Sequence, residues 1–296
     1  MRIFITGATG LIGSALCHLL IQQQYQVDAL VRSVDKAKSV LPPQVKLISS
    51  LDTIQDFNQY DAVINLAGEP IFSHYWTKKQ QHLLRSSRLD LTAQLSEKIN
   101  QSSKKPVVFI SASAMGYYGD QGNSILDETA PFSPLHTDFA AQLCKEWEFA
   151  AQQAQTRVCL LRTGIVFTQQ RGAFAQMRSI YRLGLGGKIG NGQQYWAWIA
   201  LEDMLQAILF LLQHNECEGA FNLVAPHPLQ NAQINQQLGK KWQRPCFASV
   251  PAFVLKLILG ERAKLLLDSQ NARPAKLLQQ GFQFRYLDFP QFLADL

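Results

Sequence analysis

The sequence predicts an α/β protein built around a parallel sheet of about seven strands. Three observations lead to this prediction. Short apolar runs rich in Val, Ile and Phe alternate with helix-length amphipathic stretches, turn-forming residues bound these runs, and a glycine turn follows the first run directly. Strands that alternate with helices in this way form a parallel sheet that is covered on both faces, with right-handed crossovers.

The predicted elements follow this alternation from the second residue onward. Strands are expected at Arg2–Thr6, Gln26–Val31, Val45–Ile48, Ala62–Leu66, Val107–Ser111, Val158–Leu161 and Ala220–Val224. Helices are expected at Gly10–Gln23, Lys78–Gln101 and Asp138–Gln155. The alternation weakens after about residue 165, and from Pro226 the chain is helical and rich in Gln. We therefore predict a sheet domain over residues 1–225 and a smaller, mainly helical C-terminal lobe over residues 226–296.

Composition limits the classes of function. The chain has 296 residues, of which 47% are hydrophobic and 17% charged, as is typical of a globular protein. Its formal charge is +6, but the basic residues are scattered singly or in short pairs, which favours a small anionic ligand over nucleic acid. The apolar stretches Ile199–Leu212 and Phe247–Gly260 are shorter than a membrane span and are interpreted as buried core helices. We expect a monomer or homodimer with no membrane or nucleic-acid partner.

The five cysteines and six histidines show no spacing typical of a disulfide framework or a metal site. No metal is therefore expected, and a reducing, cytoplasmic location is predicted. The N-terminus runs directly into a strand and a glycine turn, so that no signal peptide is evident.

The glycine turn is the strongest motif in the chain. Gly7-Ala-Thr-Gly10-Leu-Ile-Gly13 lies between the first predicted strand and the first predicted helix. Glycines at such a place permit a tight turn and let the backbone approach a pyrophosphate, while the helix N-terminus presents unpaired N–H groups to the phosphates. The motif predicts a dinucleotide site on a doubly wound, Rossmann-type sheet.

The second predicted strand leads into Ala29-Leu-Val-Arg32. Sites that prefer NAD(H) usually carry an acidic residue near this strand end, where it accepts a hydrogen bond from the ribose 2′-OH. Arg32 occupies that region here, and its guanidinium can bind a 2′-phosphate by charge-assisted hydrogen bonds. Asp28 lies inside the strand and is poorly placed to reach the ribose. We therefore predict NADP(H) as the cofactor, with a solvated surface role for Arg32 as the alternative.

Further motifs lie along the chain: Asn65-Leu-Ala-Gly-Glu-Pro70, Ser87-Arg88, Gly116-Tyr-Tyr-Gly119, Leu161-Arg-Thr-Gly164, Gly184-Leu-Gly-Gly187 and Trp198-Ile199 with Asp203. Together with the glycine turn, the motifs at Asn65 and Leu161 resemble the extended short-chain dehydrogenase/reductase superfamily. The motifs other than that at Leu161 resemble more closely one atypical branch, the YfcH-like epimerase family. The tail Ala272–Phe282 is similar to that family's C-terminal domain, which we expect at about residues 246–293. The resemblance covers nearly the whole chain.

The resemblance implies where NADP(H) would be held. The implied cofactor contacts are Gly7, Thr9, Gly10, Leu11, Ile12, Gly13, Arg32, Leu66, Ala67, Gly68, Glu69 and Arg88. On residue chemistry alone, Arg88 could equally be a surface helix arginine, and Glu69 a loop carboxylate that caps a helix.

Reductase chemistry in the superfamily uses a Ser, a Tyr and a Lys, of which the tyrosine exchanges the hydroxyl proton. Ser113 lies in a segment that matches the family's serine segment, and Glu128, Pro131 and Pro134 resemble the run that leads to the tyrosine. The tyrosine itself is missing from the predicted helix that follows. If Lys145 is the lysine, Ala141 takes the tyrosine position, and if Cys144 takes the lysine position, Ala140 does so.

Three side chains offer partial replacements. Tyr117 and Tyr118 lie close to the serine in sequence and could transfer a proton, although aromatic packing is the favoured interpretation of both. Cys144 is a weaker candidate, since it lies in a helix with no adjacent histidine. We therefore name Ser113 and Tyr117 as the catalytic candidates.

Two hypotheses about function follow. The first is an NADP(H)-dependent oxidoreductase or epimerase that acts on a small molecule, with sugars among the candidates. The second is a catalytically inactive NADP(H)-binding sensor or regulator, which the missing tyrosine suggests and which a cell-division label on some relatives of the family would link to cell division. Trp196 and Trp198 could line a substrate cleft or pack a sheet face, and Asp203 is interpreted as a charge that suits the helix N-terminus.

Overall fold

The computed structural model describes residues 1–132 and 135–296, so that Pro134 lies outside the described residues. The strands are β1 (Arg2–Thr6), β2 (Gln26–Leu30), β3 (Lys46–Ile48), β4 (Ala62–Asn65), β5 (Val108–Ala114), β6 (Ile125–Leu126), β7 (Arg157–Thr163), β8 (Ile165–Phe167), β9 (Gly187–Ile189), β10 (Tyr195–Trp196), β11 (Trp198–Ala200), β12 (Gly219–Leu223), β13 (Leu229–Gln230), β14 (Ala248–Val250) and β15 (Asn271–Ala272). The helices are α1 (Leu11–Gln22), α2 (Val34–Val40), α3 (Lys78–Gln101), α4 (Phe139–Gln152), α5 (Gly172–Arg182), α6 (Leu201–Gln213), α7 (Asn231–Trp242), α8 (Ala252–Leu259), α9 (Lys264–Leu267), α10 (Ala275–Gln279) and α11 (Phe289–Ala294). Short 3-10 turns occur at Leu51–Thr53, Met115–Tyr118 and Gly260–Ala263.

The central sheet of the described chain has seven parallel strands in the order β12-β7-β5-β4-β1-β2-β3. This confirms the predicted doubly wound, Rossmann-type fold, and the strands lie where the sequence predicted them, with ends that differ by a few residues. The strand order reverses between β1 and β4. Ligands of such sheets bind at the carboxyl ends of the strands beside that reversal, which is where the glycine turn lies.

Side-chain alternation explains why the sheet is covered on both faces. Ile3 and Ile5 of β1 point to one face, where they belong to a core that includes Leu16 of α1. Phe4 points to the other face and packs edge-on against Phe57, with ring centroids 5.0 Å apart. A strand that is apolar on both sides needs helices on both sides, and α1 and α6 cover one face while α3 and α4 cover the other.

A second aromatic core lies beside the sheet. Trp198 is fully buried and stacks on Phe167, with Phe289 and Phe292 of α11 packed against it. Trp196 belongs to the same core. This arrangement decides between the two interpretations of these tryptophans, because both side chains pack in the interior instead of lining a cleft.

Asp203 has a larger role than a helix-terminal charge. Its side chain is buried, and its two carboxylate oxygens accept hydrogen bonds from the backbone N–H groups of Arg285 and Tyr286 at 2.7 and 3.1 Å. The carboxylate therefore attaches the C-terminal tail to the first turn of α6. Burial raises the pKa of Asp203, while these two N–H groups oppose that shift.

The expectation that both apolar stretches form buried helices holds for one and is wrong for the other. Ile199–Leu212 largely forms α6, whose apolar face is in the core. In contrast, α8 has no fully buried residue, and Phe253 and Leu257 are 72% and 83% exposed. Composition alone does not tell a helix that enters a core from one that rests on a surface. No described helix is long and apolar enough to cross a bilayer.

Candidate functional site

The glycine turn closes tightly around its own backbone. Gly7 has φ +70°, and a Cβ at this position would lie 2.4 Å from the carbonyl oxygen of Leu66. A Cβ on Gly13 would lie 2.3 Å from the carbonyl oxygen of Gly7. Both positions therefore require glycine, and the turn holds the loop after β1 against the loop after β4.

The first turn of α1 faces this loop without a side-chain cap. Its N-cap, Gly10, is extended and contributes no side chain. The early N–H groups of Leu11 and Ile12 are among those that an α-helix leaves without an intrahelical partner. Together with the positive end of the helix dipole they form an anion site, and Thr9 lies half-buried at its side. The predicted phosphate contacts are thus brought together.

Arg32 lies two residues beyond the end of β2. Its side chain is exposed and makes no hydrogen bond or ion pair with any described residue. Asp28 is buried inside β2, where it accepts hydrogen bonds from Arg2 at 2.7 Å and from the Tyr60 hydroxyl at 2.9 Å. The Asp28 carboxylate is therefore used in hydrogen bonds within the protein, which leaves the guanidinium of Arg32 available to a ligand at the end of β2.

The loop after β4 is shaped by Arg88 of α3. Its guanidinium donates to the carbonyl oxygens of Glu69 at 2.9 Å and Leu84 at 3.2 Å. A Cβ on Gly68 would lie 3.1 Å from the Arg88 Cζ, so the glycine permits this close approach. Burial lowers the pKa of Arg88, which also lies 5.1 Å from the Trp147 ring centroid. Arg88 is thus not an ordinary surface arginine, since it holds the predicted Leu66–Glu69 contact loop.

Helix α4 favours one of the two ways of aligning the missing tyrosine and lysine. Ala140 and Cys144 are buried, and they are the α4 residues nearest to Gly116, where a Cβ would lie 3.8 Å from the Ala140 Cβ and 3.4 Å from the Cys144 Sγ. Lys145 is exposed, with its Nζ over the Phe132 ring. This environment favours the alignment that has Cys144 in the lysine position and Ala140 in the tyrosine position. Burial raises the pKa of the Cys144 thiol to about 12, which makes it a poor nucleophile.

Ser113 belongs to a buried ion-pair network. Its hydroxyl donates to Glu148 Oε1 at 2.7 Å, and Arg162 binds both Glu148 oxygens at 2.9 Å. Arg162 also donates to the Tyr118 hydroxyl at 2.9 Å, and that hydroxyl has the Asn222 Oδ1 at 2.8 Å and the Asp127 carbonyl oxygen at 3.0 Å as acceptors. The single proton of Ser113 is thus directed at Glu148, so that its oxygen is left to accept a hydrogen bond.

Tyr117 has a different environment from Tyr118. Its ring centroid lies 3.5 Å from the Arg162 Cζ, and it packs edge-on against Tyr118 and Phe132. The side chain is half-buried, and its hydroxyl has no hydrogen-bond partner among the described residues. The guanidinium lies over the ring in a cation–π contact. Of the two tyrosines, Tyr117 therefore keeps a free hydroxyl, while Tyr118 is used in packing and internal hydrogen bonds.

A cleft of about 1040 Å³ is lined by Asp120 and by residues from 190–194 and 249–268, and none of the predicted cofactor or catalytic residues lines it. Its polar lining includes Asp120, Asn191, Gln194, Lys256, Lys264 and Asp268. Burial raises the pKa of Asp268 to about 7, with Lys264 opposing and the carboxylates of Asp120 and Asp138 adding to the shift. Lys264 also bonds Asp138, the N-cap of α4, at 2.6 Å. The described residues contain no cluster of His, Cys, Asp or Glu able to hold a metal ion.

Sequence reasoning missed three charged residues of this region. Glu148 follows Cys144 by one helical turn, so the i, i+4 spacing on α4 could have indicated that it faces the serine. Arg162 lies inside the Leu161-Arg-Thr-Gly164 motif, whose family resemblance does not indicate a role for its arginine. Asp268 is a single acidic residue in an apolar stretch, and no local pattern signals it.

The seven-stranded parallel sheet and the glycine turn at its carboxyl edge define an NAD(P)-binding protein of the short-chain dehydrogenase/reductase class. The chain belongs to the NAD dependent epimerase/dehydratase family, whose model matches residues 3–223. Residues 250–296 match a second model, the domain of unknown function DUF1731.

Relatives and solved structures agree with this assignment. The chain is 38% identical over 288 residues to an epimerase family protein of Mycobacterium leprae, covering 95% of this chain and 91% of that protein. It is 35% identical over 294 residues to the chloroplastic epimerase family protein SDR39U1 homolog of Arabidopsis thaliana, covering 97% and 84%. The human epimerase family protein SDR39U1, solved with NADPH, superposes with a TM-score of 0.90 at 30% identity, covering 100% of this chain and 98% of that one. A nucleoside-diphosphate sugar epimerase from Corynebacterium glutamicum has a TM-score of 0.77 at 29% identity, covering 99% of this chain and 57% of that one.

Proposed function

We propose that this protein binds NADP(H) and uses it as an oxidoreductase or epimerase acting on a small molecule. The observation that carries the choice of NADP(H) is the free guanidinium of Arg32 beyond β2, together with the occupied carboxylate of Asp28. An unpaired cation at this position suits the 2′-phosphate of NADP(H). An NAD(H) site would instead place a hydrogen-bond acceptor there for the ribose 2′-OH. The human relative that was solved with NADPH supports the same choice.

The cleft suits a small polar ligand, although Ser113 and Tyr117 do not line it. Its lining carries both signs of charge and two amides, which suit a molecule with several hydroxyl groups or a phosphate. The Corynebacterium relative is described as a nucleoside-diphosphate sugar epimerase, which favours sugars among the candidates. All five cysteines are free thiols, which supports a reducing, cytoplasmic location.

NADP(H), when bound, supplies or accepts the hydride in this proposal. Proton transfer then falls to Tyr117, whose hydroxyl has no hydrogen-bond partner among the described residues. Ser113 would accept a hydrogen bond from a substrate hydroxyl, because its own proton is directed at Glu148. In this proposal Tyr117 and Ser113 together take over the roles of the tyrosine and lysine, whose positions are taken by Ala140 and Cys144.

A second function has its own supporting observation. Ala140 and the inert thiol of Cys144 occupy the two proton-transfer positions, and the proton of Ser113 is held inside an ion pair. A site with these features still binds a dinucleotide but is poorly equipped for proton transfer. The alternative proposal is therefore an NADP(H)-binding sensor or regulator, with cell division among the processes that it could serve.

The experiment that separates these functions follows NADPH absorbance with a panel of carbonyl compounds. For nucleotide sugars it follows the formation of the epimer by chromatography, because an epimerase returns the hydride and leaves the NADPH absorbance unchanged. The oxidoreductase proposal expects turnover that is reduced at least about a hundredfold in Tyr117→Phe, the lower range for loss of a general acid. Tyr25→Phe is the matched control, since Tyr25 lies just ahead of β2, away from the carboxyl edge of the sheet. Tight NADPH binding without turnover across the panel would support the sensor. A protein that binds no NADPH would contradict both.

A further inference from the structure

Two turns at the ends of α5 and α7 carry large apolar side chains that project into solvent. Leu183 and Leu185 follow the end of α5 and are 74% and 66% exposed. Phe247 lies in the segment after α7 and is 86% exposed. Exposure of single apolar residues is ordinary, so the significance of these three depends on whether they lie together.

The backbone brings the two turns side by side. The turns lead into β9 and β14, which pair in parallel with Gly187 opposite Ala248. Upstream of that pair, a Cβ on Gly184 would lie 3.8 Å from the Pro245 side chain. Leu185 therefore lies two residues before β9, and Phe247 lies one residue before β14, at the start of two paired strands.

Basic residues surround these apolar side chains. Arg182, Lys240, Lys241 and Arg244 lie in the same two turns or at the helix ends that lead into them, and all four are exposed. None of the four forms an ion pair with a described residue. We define the α5–α7 tip as these four residues together with Leu183, Leu185 and Phe247.

The tip lies in two segments of the chain that carry basic residues and no acidic ones, separated by residues 202–218, which carry four acidic residues and no Lys or Arg. Residues 172–201 and 219–250 contain six Lys or Arg and no Asp or Glu, which leaves the rest of the chain formally neutral in a protein of net charge +6. Cations at helix C-termini suit the helix dipole, and this accounts for part of the pattern. It does not account for two exposed leucines and a phenylalanine among those cations.

We propose that the α5–α7 tip docks the protein on an anionic lipid bilayer surface. In this arrangement Leu183, Leu185 and Phe247 enter the boundary between headgroups and acyl chains, while the four basic side chains bind lipid phosphates. Docking of this kind needs no membrane-spanning helix, so it revises the expectation of no membrane partner without requiring a span. The proposal does not depend on the enzymatic or sensor function.

Charge selects the bilayer over the other occupants. A second copy of the chain that met the tip would bring eight uncompensated positive charges together if the contact were symmetric. Nucleic acid would pair with the cations but would leave the protruding leucines and phenylalanine without apolar partners. An anionic bilayer satisfies both groups at once, because it offers phosphates at its surface and hydrocarbon directly beneath.

The test is sedimentation of the purified full-length chain with vesicles of phosphatidylcholine, with or without phosphatidylglycerol. We expect binding to the mixed vesicles, release at high salt, and little binding to phosphatidylcholine alone. Phe247→Ser should weaken binding about tenfold or more. The double variant Lys240→Gln with Lys241→Gln should weaken vesicle binding about 25-fold, because each lost cation lowers the affinity about fivefold.

Matched controls come from exposed residues outside the tip. Phe149→Ser removes a phenylalanine of α4 that is 65% exposed, and Lys104→Gln with Lys105→Gln removes a remote basic pair. Both controls should bind as the parent does, with melting temperatures confirming that every variant is folded. Absence of binding to the mixed vesicles would overturn the proposal, as would equal losses in the controls. So would a dimer, detected without vesicles, that Phe247→Ser abolishes.

Discussion

Replacing Glu148 with glutamine tests the buried network at the centre of the candidate site. Glu148 and Arg162 are both about 5% exposed, and the guanidinium binds both carboxylate oxygens at 2.9 Å. Burial opposes the positive charge of Arg162, but Glu148 outweighs that effect and keeps the pKa of the guanidinium above its ordinary value. Glutamine keeps the shape and one acceptor but leaves the buried cation without a counter-charge.

The expected cost of Glu148→Gln is about 3–5 kcal/mol of unfolding free energy, the range for breaking one partner of a buried ion pair. Urea denaturation measures this cost. The matched control is Glu146→Gln on the same helix, because Glu146 pairs with Arg85 and both side chains are more than a third exposed. An exposed pair contributes about 0–1 kcal/mol. Equal losses in the two variants would refute the view that the Glu148–Arg162 pair is a buried structural element.

Three further predictions concern the glycine turn, the buried thiol and the cleft. Gly13→Ala should weaken NADPH binding at least about tenfold, because the new Cβ would lie 2.3 Å from the carbonyl oxygen of Gly7. Gly10→Ala should weaken it less, because its Cβ would lie 3.2 Å from the same oxygen. Fluorescence titration with NADPH compares the two variants, and equal affinities would contradict the steric argument. Cys144 should resist iodoacetamide in the folded protein at pH 8, because burial holds its pKa at about 12; rapid alkylation, read by mass spectrometry, would contradict this. Asp268 has a pKa raised to about 7, so its ionisation should destabilise the fold as the pH rises from about 4 to 7. Asp268→Asn should therefore gain stability over the parent across that window, on the order of 2–4 kcal/mol by pH 8, and parallel stability curves against pH would contradict the assignment.

The sheet was predictable because its information is local. Strands β1, β4 and β5 each contain a short run of Val, Ile or Phe, and β1 carries its apolar side chains on both faces. The glycine turn was predictable for the same reason, since the requirement at Gly7 and Gly13 concerns neighbouring backbone. Arg32 could be located because its position is counted from a strand end.

The chemistry of the site was less accessible because it depends on contacts between distant residues. Ser113 and Glu148 are 35 residues apart and meet only when α4 packs on β5. The sequence left two alignments of the missing tyrosine open, and burial of Cys144 with exposure of Lys145 favours one of them. The exposure of α8 was also inaccessible, because an apolar helix has the same composition whether it enters a core or stays at a surface.

The most direct test of the account compares the dissociation constants of NADPH and NADH for the parent, Arg32→Ala and Lys36→Ala. Lys36 is an exposed cation of α2 close to Arg32 in the chain and serves as the matched control. We predict that the parent binds NADPH about tenfold to a hundredfold more tightly than NADH, as expected for charge-assisted hydrogen bonds to a 2′-phosphate. Arg32→Ala should remove most of this preference without changing NADH affinity, and Lys36→Ala should retain it. Equal affinities for the two nucleotides in the parent, or an unchanged preference in Arg32→Ala, would contradict the assignment of NADP(H) to this site.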